Sequence, residues 1–119
     1  MPFDEPLADR IRRRLGERKG LIEKKMFGGI AFLLDGNMCC GVHKGDMIVR
    51  MDPARTEDAL ARPHTRIFDL TGRPMKGWIV VDGKGLESPD ALARWIDTAT
   101  EYAGALPPKA ARRPPRPRG

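Results

Sequence analysis

The chain predicts a two-layer α+β domain, with helices packed on a mostly antiparallel sheet in the order α, three or four β, α, two β, α. Three observations carry this. Short apolar runs are separated by tight-turn signals in "GIAFLLDGNMCCGVHKGDMIVRM", apolar residues recur at helical spacing near both ends, and helices and strands segregate instead of alternating as βαβ units. At 119 residues there is room for one domain with one core, which excludes a second catalytic domain.

Leu7, Ile11 and Leu15 recur every four positions with Arg10, Arg12, Arg13 and Arg14 around the other side, so an amphipathic helix ends near Gly16 or Gly20. Strands follow. Asp35-Gly36 between two apolar runs marks a hairpin, because a two-residue turn needs positive φ, and Lys44-Gly45-Asp46 repeats the device before "MIVRM". Ile30, Phe32 and Leu34 alternate with Ala31 and Leu33, so this strand is apolar on both faces and is expected at the centre of the sheet. Asp52-Pro53 and Ser88-Pro89 each set a capping side chain before a proline that has no N–H to satisfy, so each starts a helix. The first, "PARTEDALAR", stops before Pro63. The second runs from Pro89 to about Tyr102, with Leu92, Trp95, Ile96, Ala99 and Tyr102 on one face. Between them "RIFDL" and "GWIVVD" read as two strands joined by "TGRPMK". Residues 1–106 form the domain, and the proline-rich segment 107–119 is expected to be extended and disordered.

The formal charge of +6 sits in that segment, "PPKAARRPPRPRG", which has five basic residues and no acid; the rest of the chain carries 17 basic against 16 acidic residues. No stretch approaches the roughly 18 apolar residues of a membrane span, and "MPFDEPLADR" lacks a basic region followed by an apolar run. A cytoplasmic chain with no membrane role is expected. Two adjacent cysteines give no disulfide framework, which suits a reducing compartment.

Cys39, Cys40, His43 and His64 are the candidates for metal or thiol chemistry. In a regular strand neighbours point to opposite faces, so the two thiols diverge and Cys39 shares a face with His43. The Cys-x-x-Cys or turn-spaced ligands of a zinc site are absent, and no base or helix N-terminus is placed to activate a thiolate. No metal and no cofactor are expected. Gly28-Gly29 leads into a strand, unlike a Walker loop, and marks a bulge or a close backbone approach; an anion site at Lys25, Gly28, Gly29 and Lys76 is the other reading. Asp35, Asp46, Asp69 and Asp82 fall at turns and strand ends, and Ser88 already caps a helix, so no catalytic constellation emerges.

"KKMFGGIAFLLDGNMCCGV", "DMIVRM" and "TGRPMKGWIVVD" together resemble the N-terminal domain of the TfoX/Sxy family, named for regulators of natural competence, over about residues 8–104. The resemblance implies a fold of the secretion-chaperone-like and YjbR-like kind, and no enzyme activity. Longer family members carry a second C-terminal domain resembling helix-hairpin-helix modules, which this sequence does not include. Carried over, the family motifs are Met26, Phe27, Gly28 and Gly29 on one side and Arg73, Met75, Lys76, Gly77 and Trp78 on the other. Aromatic and arginine together suit a protein interface, and packing at a strand start explains them as well.

The expected function is a non-enzymatic regulatory or adaptor domain that binds a protein partner, with a homodimer as one form of that partner. The alternative is weak nucleic-acid or other polyanion binding by Arg10, Arg12, Arg13 and Arg14 of the first helix with Lys109, Arg112, Arg113, Arg116 and Arg118 of the terminal segment.

Overall fold

The computed structural model describes residues 3–26, 28–69 and 74–107; Phe27, the segments 70–73 and 108–119, and the Met26 side chain lie outside the described residues. The expected Phe27 and Arg73 positions, and every basic residue of the terminal segment, are among those outside.

Three helices, α1 (Glu5–Leu15), α2 (Thr56–Leu60) and α3 (Pro89–Ala105), accompany six strands: β1 (Leu21–Met26), β2 (Gly29–Leu34), β3 (Asn37–His43), β4 (Asp46–Arg50), β5 (Thr65–Ile67) and β6 (Trp78–Val81). The strands form one antiparallel sheet in the order β1-β2-β3-β4-β6-β5. The α+β architecture read from the sequence is the observed one. Among the described residues no helix is long and apolar enough to cross a membrane.

Local chemistry sets the boundaries. Asp4 Oδ1 accepts from Leu7 N–H at 3.0 Å and starts α1, while Ser88 Oγ accepts from Ala91 N–H at 3.3 Å and starts α3. Asp35 and Gly36 both have positive φ, 53° and 85°, which the tight β2–β3 turn demands. "PARTEDALAR" divides into a 3-10 turn, Pro53–Arg55, and the five-residue α2, and "RIFDL" yields only the three residues of β5. The double-sided apolar strand β2 has neighbours on both sides but lies one strand from the edge; β3 and β4 hold the centre.

One face of the sheet carries the core. Ile30, Phe32, Cys40, Val42, Met47, Val49, Ile79 and Val81 point at Ile11 and Leu15 of α1 and Leu92, Trp95 and Ile96 of α3. Each large apolar side chain buried there stabilises the fold by about 1.5–3 kcal/mol. The arginines of α1 clamp this layer: Arg10 donates to Leu86 O at 2.8 Å, Arg12 pairs with Glu23 of β1 and Asp9, and Arg14 makes a two-point pair with Asp97 of α3. Their partners are local to the fold.

The cysteines depart from the regular-strand expectation. Phe32 pairs with Cys40 and Leu33 with Met38, so Cys39 is the extra residue of a β-bulge. Both thiols consequently turn into the helix-side core, fully buried, and Cys39 parts company with the exposed His43. The two glycines at the β1–β2 connection have distinct jobs. Gly28 has φ of 75°, and a Cβ on Gly29 would stand 2.2 Å from Val42 O. Gly29→Ala should therefore cost about 1–3 kcal/mol, seen as a lower urea midpoint, because backbone must move. Gly45→Ala, where a methyl meets nothing within 4 Å, should stay within about 0.5 kcal/mol of the parent chain.

Candidate functional site: the open face of the sheet

The pairing register that buries the core also composes the opposite face. Lys24, Ala31, Gly41, Ile48, Val80 and Arg66 form one row across all six strands, since each is the direct partner of the next. The row is cationic at both ends and apolar in the middle. A hollow of about 230 Å³ opens over its centre, floored by Gly29, Ala31 and Ile48 and walled by Met38, Phe68, Met75 and Trp78. Small residues make the floor low. At Gly41 a Cβ would meet Ile30 O at 2.7 Å and the Met38 terminal methyl at 3.3 Å, so any side chain there would crowd both.

The aromatic wall is held by the connection from β5 to β6. Phe68 N–H donates to Trp78 O at 2.9 Å, Met75 N–H to Phe68 O at 3.1 Å, and Trp78 N–H to Met75 O at 3.1 Å. The two rings lie 6.2 Å apart, tilted by 39°. Gly77, with φ of 87°, turns the chain into β6 and is buried. Its N–H donates to Thr56 Oγ1 at 2.8 Å, and its carbonyl accepts from Met51 N–H at 2.8 Å. At the end of the sheet the Arg50 guanidinium lies 5.2 Å from the Trp78 ring and 5.6 Å from the Tyr102 ring of α3, stacked between the two layers.

Toward the far end of β4 a second hollow, about 410 Å³, shares His43, Ile48 and Phe68 with the first and is bordered by Asp46, Arg66 and Asp69. Arg66 pairs with both Asp46 and Asp82. The two hollows adjoin along His43, Ile48 and Phe68 and together make a channel that is apolar at the Trp78 end and charged at the other.

Of the residues singled out from sequence, the structure brings Gly29, Met75 and Trp78 together in the channel lining, Gly29 in its floor and the other two in its wall. Gly28 sits in the exposed hairpin turn, Lys76 is exposed, and Gly77 is a buried turn residue tied to Thr56. Met26 contributes a backbone pair with Gly29. Lys25 pairs with the core residue Ile30 and so shares the helix-side face, which leaves Lys25, Gly28, Gly29 and Lys76 without a common focus. Sequence reasoning missed Ala31, Met38, Gly41, His43, Ile48, Phe68 and Val80. The available signal was the apolar character of alternate positions in β2, "GIAFLL", and β6, "WIVV".

The channel lining, among the described residues, is apolar around Trp78 and carries His43, Asp46, Arg66 and Asp69 toward its other end. Among the described residues no three His, Cys, Asp or Glu side chains converge to hold a metal ion. Cys40 donates its S–H to the Cys39 sulfur, which lowers the Cys39 pKa and raises that of Cys40 well above the ordinary thiol value. Both lie beneath the helices, away from the channel. A thiol reagent such as DTNB should therefore titrate neither cysteine in the native chain and both after denaturation. Thr56→Val should leave the buried Gly77 N–H without its acceptor and cost about 1–3 kcal/mol, with a shifted Trp78 indole NMR signal. Thr56→Ser should restore both.

No curated protein and no solved structure showed a significant match to the chain. A family model does: the one for the TfoX N-terminal domain matches residues 13–103, a span that holds the end of α1, the entire sheet and most of α3, and the chain belongs to that family.

Proposed function

We propose that this domain is a non-enzymatic regulatory or adaptor module that binds a segment of another protein in the channel on the open sheet face. The observation that carries the reading is the channel itself: an apolar floor of small residues between methionine and aromatic walls, on the one sheet face that the helices leave uncovered. Methionine and aromatic side chains supply adaptable apolar contact, the composition typical of surfaces that accept peptides. Membership of the TfoX N-terminal family supports a regulatory role in place of turnover.

Size argues for a narrow occupant. Six strands about 4.8 Å apart make a face about 24 Å wide, narrowing to the three-residue β5, and the apolar hollow occupies about 230 Å³ at its centre. A helix or an extended segment fits that strip better than the flat face of a second copy. Polyanion binding by the body draws less support, because Arg10, Arg12 and Arg14 are already engaged within the fold, and of the four only Arg13 makes neither an ion pair nor a side-chain hydrogen bond among the described residues.

Peptides selected on the full chain from a random displayed library provide the test. Ile48→Lys or Val80→Lys should weaken the selected peptides by tenfold or more while the thermal transition stays cooperative, and Arg13→Glu should change nothing. Equal binding to the two channel variants, or saturable turnover of a metabolite by the purified chain, would overturn the reading.

A further inference from the structure

The hollow over the centre of the open face has the size and lining of a site for one aromatic ring. Its volume is about 230 Å³. An apolar cavity of roughly 150 Å³ already holds benzene, while sites for drug-sized molecules begin at roughly 300 Å³, so this one takes a single ring and little more. The room comes from small side chains. Ala31 and Gly41 are direct cross-strand partners in the middle of the sheet, one methyl group between the two of them, and Ile48 stands next in the row. Glycine in a strand interior packs no side chain and weakens the strand, and it occurs where another group approaches the backbone closely.

The walls suit a ring in particular. Met38 comes from β3 and Met75 from the connection ahead of β6, the two strands that flank β4, and a thioether against a ring edge is a favourable contact. The Phe68 and Trp78 rings, 6.2 Å apart and tilted by 39°, already meet as aromatic pairs do, and a third ring can continue that tilted packing. One polar group completes the lining. Among the described residues of this hollow, His43 is the only side chain whose ring nitrogen can accept a strong hydrogen bond, and it stands where the first hollow meets the second. A tryptophan N–H or a tyrosine O–H seated between the methionines finds a partner there; phenylalanine and leucine bring nothing for the imidazole to bind. We propose that the hollow is an anchor pocket for one tryptophan or tyrosine side chain of the partner segment. This rests on the reading of the channel as a peptide-binding surface and names the residue type that the surface selects.

Titration of the full chain with the N-acetyl amides of tryptophan, tyrosine, phenylalanine and leucine tests it, followed by the NMR signals of Gly41, Ile48 and the Trp78 indole. The expected result is saturable shifts at these three positions and none at Trp95, with the tryptophan and tyrosine probes binding about fivefold tighter than phenylalanine and leucine weakest of all. His43→Leu should erase the preference over phenylalanine and leave phenylalanine binding as it was. Ala31→Leu should raise the floor and weaken every aromatic probe by about tenfold or more. Where that chain loses its cooperative thermal transition, Ile48→Phe fills the hollow from its half-buried position with the same expectation. No saturable shift, leucine equal to tryptophan, or aromatic binding indifferent to a filled hollow would overturn the pocket. Peptides selected on the full chain should carry tryptophan or tyrosine at one fixed position, and a free amide that binds as tightly as the whole peptide would mark a site for small aromatic molecules and overturn the assignment to a partner. The two readings fail separately: Ile48-dependent peptides with no fixed aromatic residue remove the anchor alone, whereas peptide binding indifferent to Ile48→Lys removes the channel as a site.

Discussion

The antiparallel register is the constraint on which everything else depends. Successive side chains alternate between faces, so the pairing that places Phe32 over Cys40 and Ile30 over Val42 beneath the helices must also place Ala31 beside Gly41 and Ile48 on the other side. Core and channel are two readings of one set of hydrogen bonds. A slip by one residue would exchange them, driving Lys24 and Arg66 into the core and exposing Phe32 and Val81. The free energy of burying the helix-side residues therefore holds the channel in shape, although no channel residue need contribute much to stability itself.

Small irregularities then convert a flat face into a concave one. The bulge at Cys39 lets two consecutive residues enter the core and realigns Met38 with Leu33, so that a methionine and not a cysteine stands at the channel wall. Glycines at 29 and 41 keep the floor low because neighbouring carbonyls leave no room for a Cβ. The opposite wall depends on Thr56, a buried hydroxyl that donates to Pro53 O at 2.7 Å while accepting from Gly77 N–H. One side chain thus ties the turn ahead of Trp78 to the start of α2.

Much of the fold was legible because its signals are local. Caps before prolines, Asp35-Gly36 and the spacing of Leu7, Ile11 and Leu15 each act within a few residues, and each element they announce is present. Length was less legible: β5 keeps three residues since Phe68 onward bends into the connection that builds the wall. The divergence of Cys39 and Cys40 could not be judged from sequence, because a bulge is a property of two strands together. Trp78, Met75 and Gly29 were singled out through family motifs, and they do meet. Ile48, Gly41 and Val80 escaped because an apolar residue at an alternate strand position reads the same whether a helix or solvent covers it.

Charge teaches the complementary lesson. Four arginines within five residues of α1 look like a phosphate-binding face, yet three reach acidic or carbonyl partners supplied by β1, α3 and the turn before α3. Their spacing serves the docking of one helix onto three neighbours. On the open face Arg66 pairs with Asp46 and Asp82 while Asp69 borders the same hollow, so an apolar channel that would otherwise accept a segment in either direction has charged groups at one end. Apolar walls supply affinity without direction, since dispersion and burial are blind to chain polarity. Charge at one end only breaks that symmetry, which is how a surface with few hydrogen-bonding groups can still select the orientation of the segment it holds.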